Sequence, residues 1–183
     1  LPISHYLDCL QFMLAPFPPT GDPMRDGRPE RAAHVLTNSW GCPEIEGCDG
    51  TVLRPALVAL TAAGLFVVAA AGNTGDAGCG SITDEPAIDP EAVTVGAVTR
   101  TGEVPSFSSR GPLAGGATKP DVMAPGTQIV SAASGGGYRA EQGTSMATPH
   151  VAGVVALMWS ASPGLVGNVT RTAAILRSTA RVD

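Results

Sequence analysis

The run GTSMATPHVAGVVALMW, residues 143–159, carries the strongest structural signal in the chain. From Val151 onward the run is apolar nearly all round, which predicts a helix buried in the core. Ser145 stands where this helix begins, and Pro149 is expected in its first turn, where a missing N–H costs little. A helix N-terminus carries unpaired N–H groups and about half a positive charge. Negative charge that develops beside the Ser145 hydroxyl would therefore be stabilised.

Outward from this helix, helical patterns alternate with short apolar stretches. Helices are predicted at residues 3–14, 51–63, 145–160 and 170–179, and strands at residues 34–41, 65–71, 92–98 and 128–132. Residues 65–71 are apolar without alternation, as expected of a central parallel strand that is covered on both faces. Residues 15–33, rich in proline and glycine, predict a surface loop. The alternation predicts an α/β fold with a mainly parallel sheet, in a single domain.

The composition narrows the classes of function. Hydrophobic residues make up 44% of the chain and charged residues 15%, which suits a compact globular fold. Acidic side chains number 16 against 11 basic ones, and the basic residues, nearly all arginine, are scattered rather than gathered in a stripe. No apolar run approaches the roughly 18 residues that a membrane span needs. The sequence therefore predicts a protein that binds neither nucleic acid nor membranes.

The cysteines form an even set of four: Cys9, Cys42, Cys48 and Cys79. The spacing of Cys42 and Cys48 is not the spacing of zinc ligands, so a disulfide in an exported protein is the better interpretation. The possible pairings of the whole set remain open. Cys9 lies in an apolar helical pattern, where a buried free thiol is common. We therefore expect Cys9 to be free and at least one bridge to form among the other cysteines.

The segment GTSMATPHVAG, residues 143–153, resembles the nucleophile motif of the subtilisin-like serine proteases, the subtilases. Further matching segments follow in the family's order: NSWG at 38–41, AAAGN at 69–73, SFSSRGP at 106–112 and KPDVMAPG at 119–126. The resemblance implies a three-layer sandwich with a mainly parallel sheet from which the N-terminal strands are missing. Residues 1–183 would then form a single partial catalytic domain. The resemblance also implies a serine endopeptidase that works through a Ser acyl-enzyme.

By this resemblance, Ser145 is the nucleophile and Asn73 provides the oxyanion-stabilising amide. Asn73 also makes chemical sense by its position. It follows a buried strand at the carboxyl end, where the sites of open α/β sheets gather, and its NH₂ can donate to an oxyanion. The alternative interpretations are a serine that only caps a helix and an ordinary loop asparagine.

The resemblance also implies a specificity pocket between two segments of the chain. The residues assigned to substrate binding are Ser39, Trp40, Gly41, Ala70, Ala71, Gly72, Asp84 and Thr144. Residues 39–41 would form one wall and residues 70–72 the other, although Trp40 could equally be ordinary core packing. Counting forward from Asn73 puts Asp84 at the pocket floor and matches Glu85–Pro86 to a cis peptide bond of the family. Asp84 would then favour Arg or Lys before the scissile bond, and the alternative is a solvated loop acid.

A serine hydroxyl needs a general base, usually a histidine that a carboxylate orients. His150 lies about 7.5 Å further along the predicted helix and roughly 140° around it, too far to reach Ser145. His5 and His34 lack the context of the family's base. In the family the aspartate and the histidine precede the serine, so the resemblance places both N-terminal to this chain. We therefore expect the chain alone not to cleave peptides.

The remaining expectations concern cofactors, partners and location. No cofactor is required for the chemistry, but the family's use of calcium leaves a structural calcium ion open. Asp89 and Glu91 lie near where a second, weaker cation site often occurs in the family, and two solvated loop acids are the alternative. The expected partners are protein or peptide substrates and a separate N-terminal part of the same enzyme.

The chain begins with Leu1 rather than Met, so we expect processing or truncation to have removed the true start of a secreted or extracytoplasmic protein. Without its N-terminal strands, the chain is also expected to expose apolar sheet surface. The competing function is that of a catalytically inactive subtilisin-like module that binds or scaffolds other proteins.

Overall fold

The computed structural model describes residues 2–181, and a four-stranded parallel sheet forms their centre. The strands lie side by side in the order β1 (Val35–Asn38), β2 (Phe66–Ala70), β3 (Val93–Val98) and β4 (Val122–Pro125). Val68 pairs with Val93, and Val95 pairs with Val122, each in parallel register. The predicted parallel sheet is therefore confirmed.

Helices cover both faces of this sheet. They are α1 (Ile3–Leu14), α2 (Arg54–Ala62), α3 (Thr144–Ala161) and α4 (Val169–Thr179). Successive side chains of β2 point to opposite faces: Phe66 and Val68 pack with α3 and α4, whereas Val67 and Ala69 pack with α1 and α2. Because both faces are covered, the strand shows no alternation of apolar and polar residues. The predicted three-layer sandwich is confirmed, and no helix in residues 2–181 is long and apolar enough to cross a membrane.

Two short strands form a hairpin outside the parallel sheet. β5 (Ile129–Ala132) pairs antiparallel with β6 (Tyr138–Glu141), and most side chains of the hairpin are exposed. The strand predicted at residues 128–132 thus exists, but it does not belong to the main sheet. The fourth place in that sheet is taken by β4, which the sequence pattern does not predict. Only Ala124 of β4 is buried, so its pattern is not that of a covered strand.

Helix α3 differs from its prediction in two ways. It begins at Thr144, so Pro149 lies in its second turn and not in the first. Val155 is fully buried, but Val154 and Leu157 are 45% and 71% exposed. The helix is therefore buried on one face only, because within residues 2–181 the sheet and α4 cover only that face. An apolar strip on the outside of α3 is left in contact with solvent.

The cysteines form one disulfide, between Cys42 and Cys48, which confirms the expected bridge. Cys9 and Cys79 are free. Cys9 is exposed rather than buried, so that part of the prediction is wrong. Helix α1 turns Tyr6 and Leu10 toward the core, which places Cys9 on its outer side.

Candidate active site

A single cavity of about 230 Å³ brings the predicted site residues together. All ten of them line it: Ser39, Trp40, Gly41, Ala70, Ala71, Gly72, Asn73, Asp84, Thr144 and Ser145. The cavity lies where β1 and β2 end and where α3 begins. The carboxyl ends of parallel strands meet at one edge of a sheet, which is why segments far apart in sequence meet here. Four residues without a predicted role complete the lining: Thr74, Ser81, Thr83 and Ala87.

Asn73 is tied to the start of α3 through its side-chain oxygen. Its Oδ1 accepts hydrogen bonds from the Thr144 backbone N–H at 2.9 Å and from the Thr144 hydroxyl at 3.1 Å. The same hydroxyl accepts from the Gly72 N–H at 3.2 Å. These bonds orient the amide of Asn73 and leave its Nδ2 without a hydrogen-bond partner in the described part of the chain. A donor therefore remains available at the cavity.

Thr144 is fully buried and holds the strand end and the helix start together. This hydrogen bonding is a positioning role that the sequence did not predict, although Thr144 also lines the cavity as expected. The contacts cross 71 or 72 residues of sequence. No local pattern could have identified them.

The first turn of α3 has one unpaired backbone donor beside the Ser145 side chain. Thr144 N–H donates to Asn73, and the N–H groups of Met146 and Ala147 donate to the carbonyl oxygen of Gly143. As the second residue of the helix, Ser145 has no carbonyl to which its own N–H can donate within residues 2–181. The positive end of the helix and this free N–H both lie at the cavity.

Ser145 and Ser39 form a reciprocal pair of hydrogen bonds. The Ser145 hydroxyl donates to the Ser39 carbonyl oxygen at 3.2 Å, and the Ser39 hydroxyl donates to the Ser145 carbonyl oxygen at 2.9 Å. The second bond has a local cause: in an α-helix, the residue four positions on would donate to the Ser145 carbonyl, but that residue is Pro149, which has no N–H. The hydroxyl of Ser39 satisfies the carbonyl instead. The sequence did not predict this role of Ser39. A proline in the first turn would leave no helix carbonyl without its donor, whereas Pro149 in the second turn does.

Two glycines allow the close approach of these segments. Gly143 precedes α3 with φ 148°, and a Cβ there would lie 3.4 Å from Asn73 Nδ2. Gly72 has φ 101°, and a Cβ there would lie 2.9 Å from Ser109 Oγ. Both backbone conformations favour glycine over residues that carry a side chain. The space beside the Asn73 amide thus depends on Gly143.

Gly41 and Asp84 bring opposite sides of the cavity into contact. A Cβ on Gly41 would lie 3.0 Å from Asp84 Oδ2, so a larger residue there would push this carboxylate back by a few tenths of an ångström. Asp84 is half-buried and accepts a hydrogen bond from Thr83, and no cation in residues 2–181 pairs with it. Its neighbour Glu85–Pro86 is cis, as predicted. An unpaired carboxylate is therefore available at the cavity.

Trp40 has both of the roles that the sequence left open, since it forms part of the cavity wall and also packs in the core. It lines the cavity, and its ring stacks at a tilt on Tyr6 with 4.7 Å between ring centroids. It also packs on the cluster that contains the Cys42–Cys48 disulfide. The wall of the cavity is thus supported by α1 and by the disulfide loop.

None of the three histidines contacts Ser145. His150 bonds through Nδ1 to the Met146 carbonyl at 2.8 Å, one turn back on the same helix. His34 packs edge-on against Trp159. Within residues 2–181, Ser145 Oγ has the Ser39 carbonyl as its hydrogen-bond partner and no side chain that could act as its base. The described chain therefore holds a serine and two free N–H donors, but no general base.

Two buried acids, Glu85 and Asp89, and the half-buried Glu91 lie in the loop between the cavity floor and β3. One carboxylate oxygen of each, Glu85 Oε2, Asp89 Oδ2 and Glu91 Oε2, is buried without a hydrogen-bond partner within residues 2–181. Burial, reinforced by the charges of Glu85 and Glu91, raises the pKa of Asp89 to about 7, although Arg54 and Lys119 act in the opposite direction. Asp89 therefore keeps its proton in the folded chain at pH values where it would lose it in the unfolded chain.

We predict that Asp89→Asn stabilises the protein at pH 8. Between about pH 4 and pH 7 the folded state binds the extra proton, so the contribution of Asp89 to stability falls as the pH rises through this range. Asparagine stays neutral, and the variant should melt about 5 °C above the wild type at pH 8 and near it at pH 4. Thermal unfolding followed by circular dichroism at both pH values checks this.

Asp8→Asn, on the exposed side of α1, is the control and should change the melting temperature at neither pH. An Asp89→Asn protein that is destabilised equally at both pH values would contradict the prediction.

The chain is similar to proteins of one family over most of its length. The family model described as "Subtilase family" matches residues 21–183. Subtilisin E of Bacillus subtilis (strain 168) is 45% identical over 129 residues, which are 70% of this chain and 31% of that protein. Bacillopeptidase F of the same organism is 38% identical over 178 residues, which are 95% of this chain and 12% of that protein. A crystal structure of a cold-adapted subtilisin-like serine proteinase superposes with a TM-score of 0.66 at 36% identity, over 81% of this chain and 50% of the other. The chain thus spans half or less of each of these relatives.

Proposed function

This chain belongs to the subtilase family, and we propose that it supplies the nucleophile and the oxyanion site of a serine endopeptidase. One observation carries the proposal. Two N–H donors without a partner in residues 2–181, Asn73 Nδ2 and the backbone N–H of Ser145, accompany the Ser145 hydroxyl at a cavity lined by both strand ends. This is the arrangement that acyl transfer requires.

In the proposed reaction, Ser145 Oγ attacks the carbonyl carbon of the scissile peptide bond. The hydroxyl proton leaves for a histidine, and the negative charge that forms on the carbonyl oxygen is stabilised by the two N–H donors. The histidine then gives its proton to the leaving amine, and the C–N bond breaks to leave an ester on Ser145. Water hydrolyses that ester by the same steps, with histidine again as the base.

Residues 2–181 place neither a histidine nor an orienting aspartate at Ser145. We propose that a preceding part of the same enzyme supplies both. β1 lies at an edge of the sheet, and the exposed strip of α3 at Val154 and Leu157 offers apolar surface. Both features suit contact with further chain.

A comparison of two proteins tests the enzyme proposal. The full-length gene product should cleave a chromogenic peptide, whereas the chain of residues 1–183 alone should not. A full-length protein that folds but neither cleaves peptides nor reacts with a phosphonate inhibitor would refute the proposal. That result would favour the second candidate, an inactive subtilisin-like module that binds other proteins, for which the missing base in the described chain is the supporting observation.

Asp84 supports a preference for a basic side chain before the scissile bond. Its carboxylate is half-buried, lines the cavity, and has no cation partner within residues 2–181. A guanidinium or ammonium group of the substrate would meet that charge in a partly desolvated place, where ion pairs are stronger than at the surface.

We predict that Asp84→Asn lowers kcat/KM for an Arg substrate about 10-fold relative to a matched Phe substrate. Asparagine keeps the shape and loses the charge, so the effect on Phe should be small. Peptide pairs that differ only at this position, assayed with the full-length enzyme, give the ratio. Glu44→Gln is the control, because Glu44 is exposed, acidic and outside the cavity. If the unaltered enzyme clearly prefers Phe, Asp84 does not select basic residues.

We also propose a secreted or extracytoplasmic location. The Cys42–Cys48 disulfide next to the cavity wall supports it, because structural disulfides persist in oxidising compartments.

A further inference from the structure

Pro149 interrupts the hydrogen bonding of α3 one turn after the proposed nucleophile. It lies inside the helix and has no N–H to donate to the carbonyl oxygen four residues back. The ring of a proline inside a helix also crowds that carbonyl, so the carbonyl is held less firmly by its own helix. The carbonyl that loses its helical donor is that of Ser145.

Ser39 supplies the missing donor from a different part of the fold. Its hydroxyl donates to the Ser145 carbonyl oxygen at 2.9 Å, across 106 residues of sequence. Ser39 directly follows β1 and lines the cavity. The Ser145 hydroxyl in turn donates to the Ser39 carbonyl oxygen at 3.2 Å. One residue of the cavity wall thus contacts both the carbonyl and the hydroxyl of Ser145.

The two neighbours of Ser39 are themselves held in place. Asn38 is buried, and its Nδ2 donates to the Val68 carbonyl oxygen of β2 at 3.1 Å. On the other side, Trp40 packs on the buried cluster that contains the disulfide. A hydroxyl between two fixed residues can hold the Ser145 carbonyl in one position, which a mobile water molecule cannot do.

Other contacts at the start of α3 hold the residues that come before Ser145. The Gly143 N–H donates to the Gly126 carbonyl oxygen at 2.8 Å. Asn73 Oδ1 accepts the backbone N–H of the next residue at 2.9 Å. Of these three contacts, the one with Ser39 acts on the carbonyl side of Ser145, where the chain continues into the helix. The position of Ser145 is therefore fixed from both sides.

We propose that Ser39 is a positioning residue whose hydroxyl replaces the hydrogen bond that Pro149 removes from α3, and so fixes Ser145 for attack. The inference rests on the proposed peptidase reaction, in which Ser145 is the nucleophile. Proline makes the carbonyl available, and Ser39 holds it at the end of β1, so the nucleophile is placed relative to the cavity wall. Productive attack requires placement within about 0.5 Å, so losing this contact lowers kcat rather than substrate binding.

Steady-state kinetics of the full-length enzyme on a chromogenic peptide test this role. Ser39→Ala should lower kcat about 10-fold with little change in KM. Ser39→Thr keeps the hydroxyl and should restore most of the rate. The Pro149→Ala protein regains a backbone N–H that can donate to the Ser145 carbonyl. In that background Ser39→Ala should cost at most about 2-fold, because the two donors are then redundant.

Ser160→Ala is the matched control. The exposed Ser160 hydroxyl also donates to a carbonyl oxygen of α3, that of Ala156 at 2.8 Å, and its loss should leave kcat unchanged in both backgrounds. Equal losses from Ser39→Ala in the two backgrounds would overturn the proposal. A rise in KM alone would do the same, since Ser39 would then only bind substrate. If the Pro149→Ala proteins do not fold, a Ser39→Thr enzyme as slow as Ser39→Ala overturns it.

Melting temperatures of the same full-length proteins separate the hydrogen bond from the reaction. Ser39→Ala should lower the melting temperature by about 2 °C, and by less than that in the Pro149→Ala background. The effect is small because Ser39 is exposed and water can bond to the carbonyl instead. An active enzyme whose melting temperature falls equally in both backgrounds would refute the replacement of the helical bond and leave the reaction standing. A protein that shows the difference but cleaves no peptide would refute the reaction, and Ser39 would keep only a structural role.

Discussion

Replacing Ser145 by alanine is expected to lower kcat of the full-length enzyme about 10⁶-fold. The substitution removes the proposed nucleophile, while the two N–H donors and the cavity remain, so KM should change little. The magnitude is the one known for subtilisin itself, a relative of this chain. Steady-state kinetics on a chromogenic peptide measure the loss, and active-site titration excludes contamination by unaltered enzyme.

The matched control for this variant is Ser134→Ala. Ser134 is exposed in the turn between β5 and β6, away from the cavity, and its loss should leave the rate unchanged. Melting temperatures of both variants establish that they fold. A Ser145→Ala protein that keeps more than about a hundredth of the activity would mean that another group is the nucleophile.

Replacing Asn73 by aspartate is expected to lower kcat about 10²- to 10³-fold with little change in KM. This range too is the one known for subtilisin. The structure separates two roles of Asn73: its Oδ1 holds Thr144 at the start of α3, and its Nδ2 is the free donor. Aspartate keeps the acceptor for Thr144 but replaces the donor by a negatively charged oxygen, so the start of α3 stays held while the proposed oxyanion loses a donor and gains a repulsive neighbour.

Asn73→Ala provides the comparison, because alanine removes both roles. Its kcat should fall because the donor is lost, and its melting temperature should fall below that of the aspartate variant, since Thr144 N–H loses its acceptor. If aspartate supported nearly full activity, the side-chain donor of Asn73 would have no part in the reaction. If only KM rose, Asn73 would bind substrate rather than the transition state.

The elements that the sequence predicts correctly are those whose pattern is local. β2 is a run of apolar residues because helices cover both of its faces. In α1, the buried residues Tyr6 and Leu10 have the helical spacing that identifies the side facing the core. The sequence does not predict β4, because only Ala124 of this strand is buried and the strand therefore lacks a continuous apolar pattern. The strand at residues 128–132 is detected, but its pattern does not reveal that its partner is β6 rather than the main sheet.

For the site, too, the sequence predicts what depends on local motifs and misses what depends on contacts between distant segments. The family motifs name ten of the fourteen residues that line the cavity, and these meet because parallel strands end at one edge of the sheet. The contacts that organise them do not follow from motifs. Ser39 and Ser145 meet across 106 residues, and their bond depends on the exact turn of α3 that holds Pro149. Lys119 reaches Asp89 across 30 residues, a contact that only the folded chain creates.

In the proposed reaction, Ser145 attacks a carbonyl whose oxygen then lies between the Asn73 amide and the Ser145 N–H. A crystal structure of the full-length enzyme inactivated by a peptidyl phosphonate tests it most directly. We expect phosphorus bonded to Ser145 Oγ and a phosphonyl oxygen within about 3 Å of both Asn73 Nδ2 and Ser145 N. An adduct on another residue, or a phosphonyl oxygen that points away from both donors, would contradict the account.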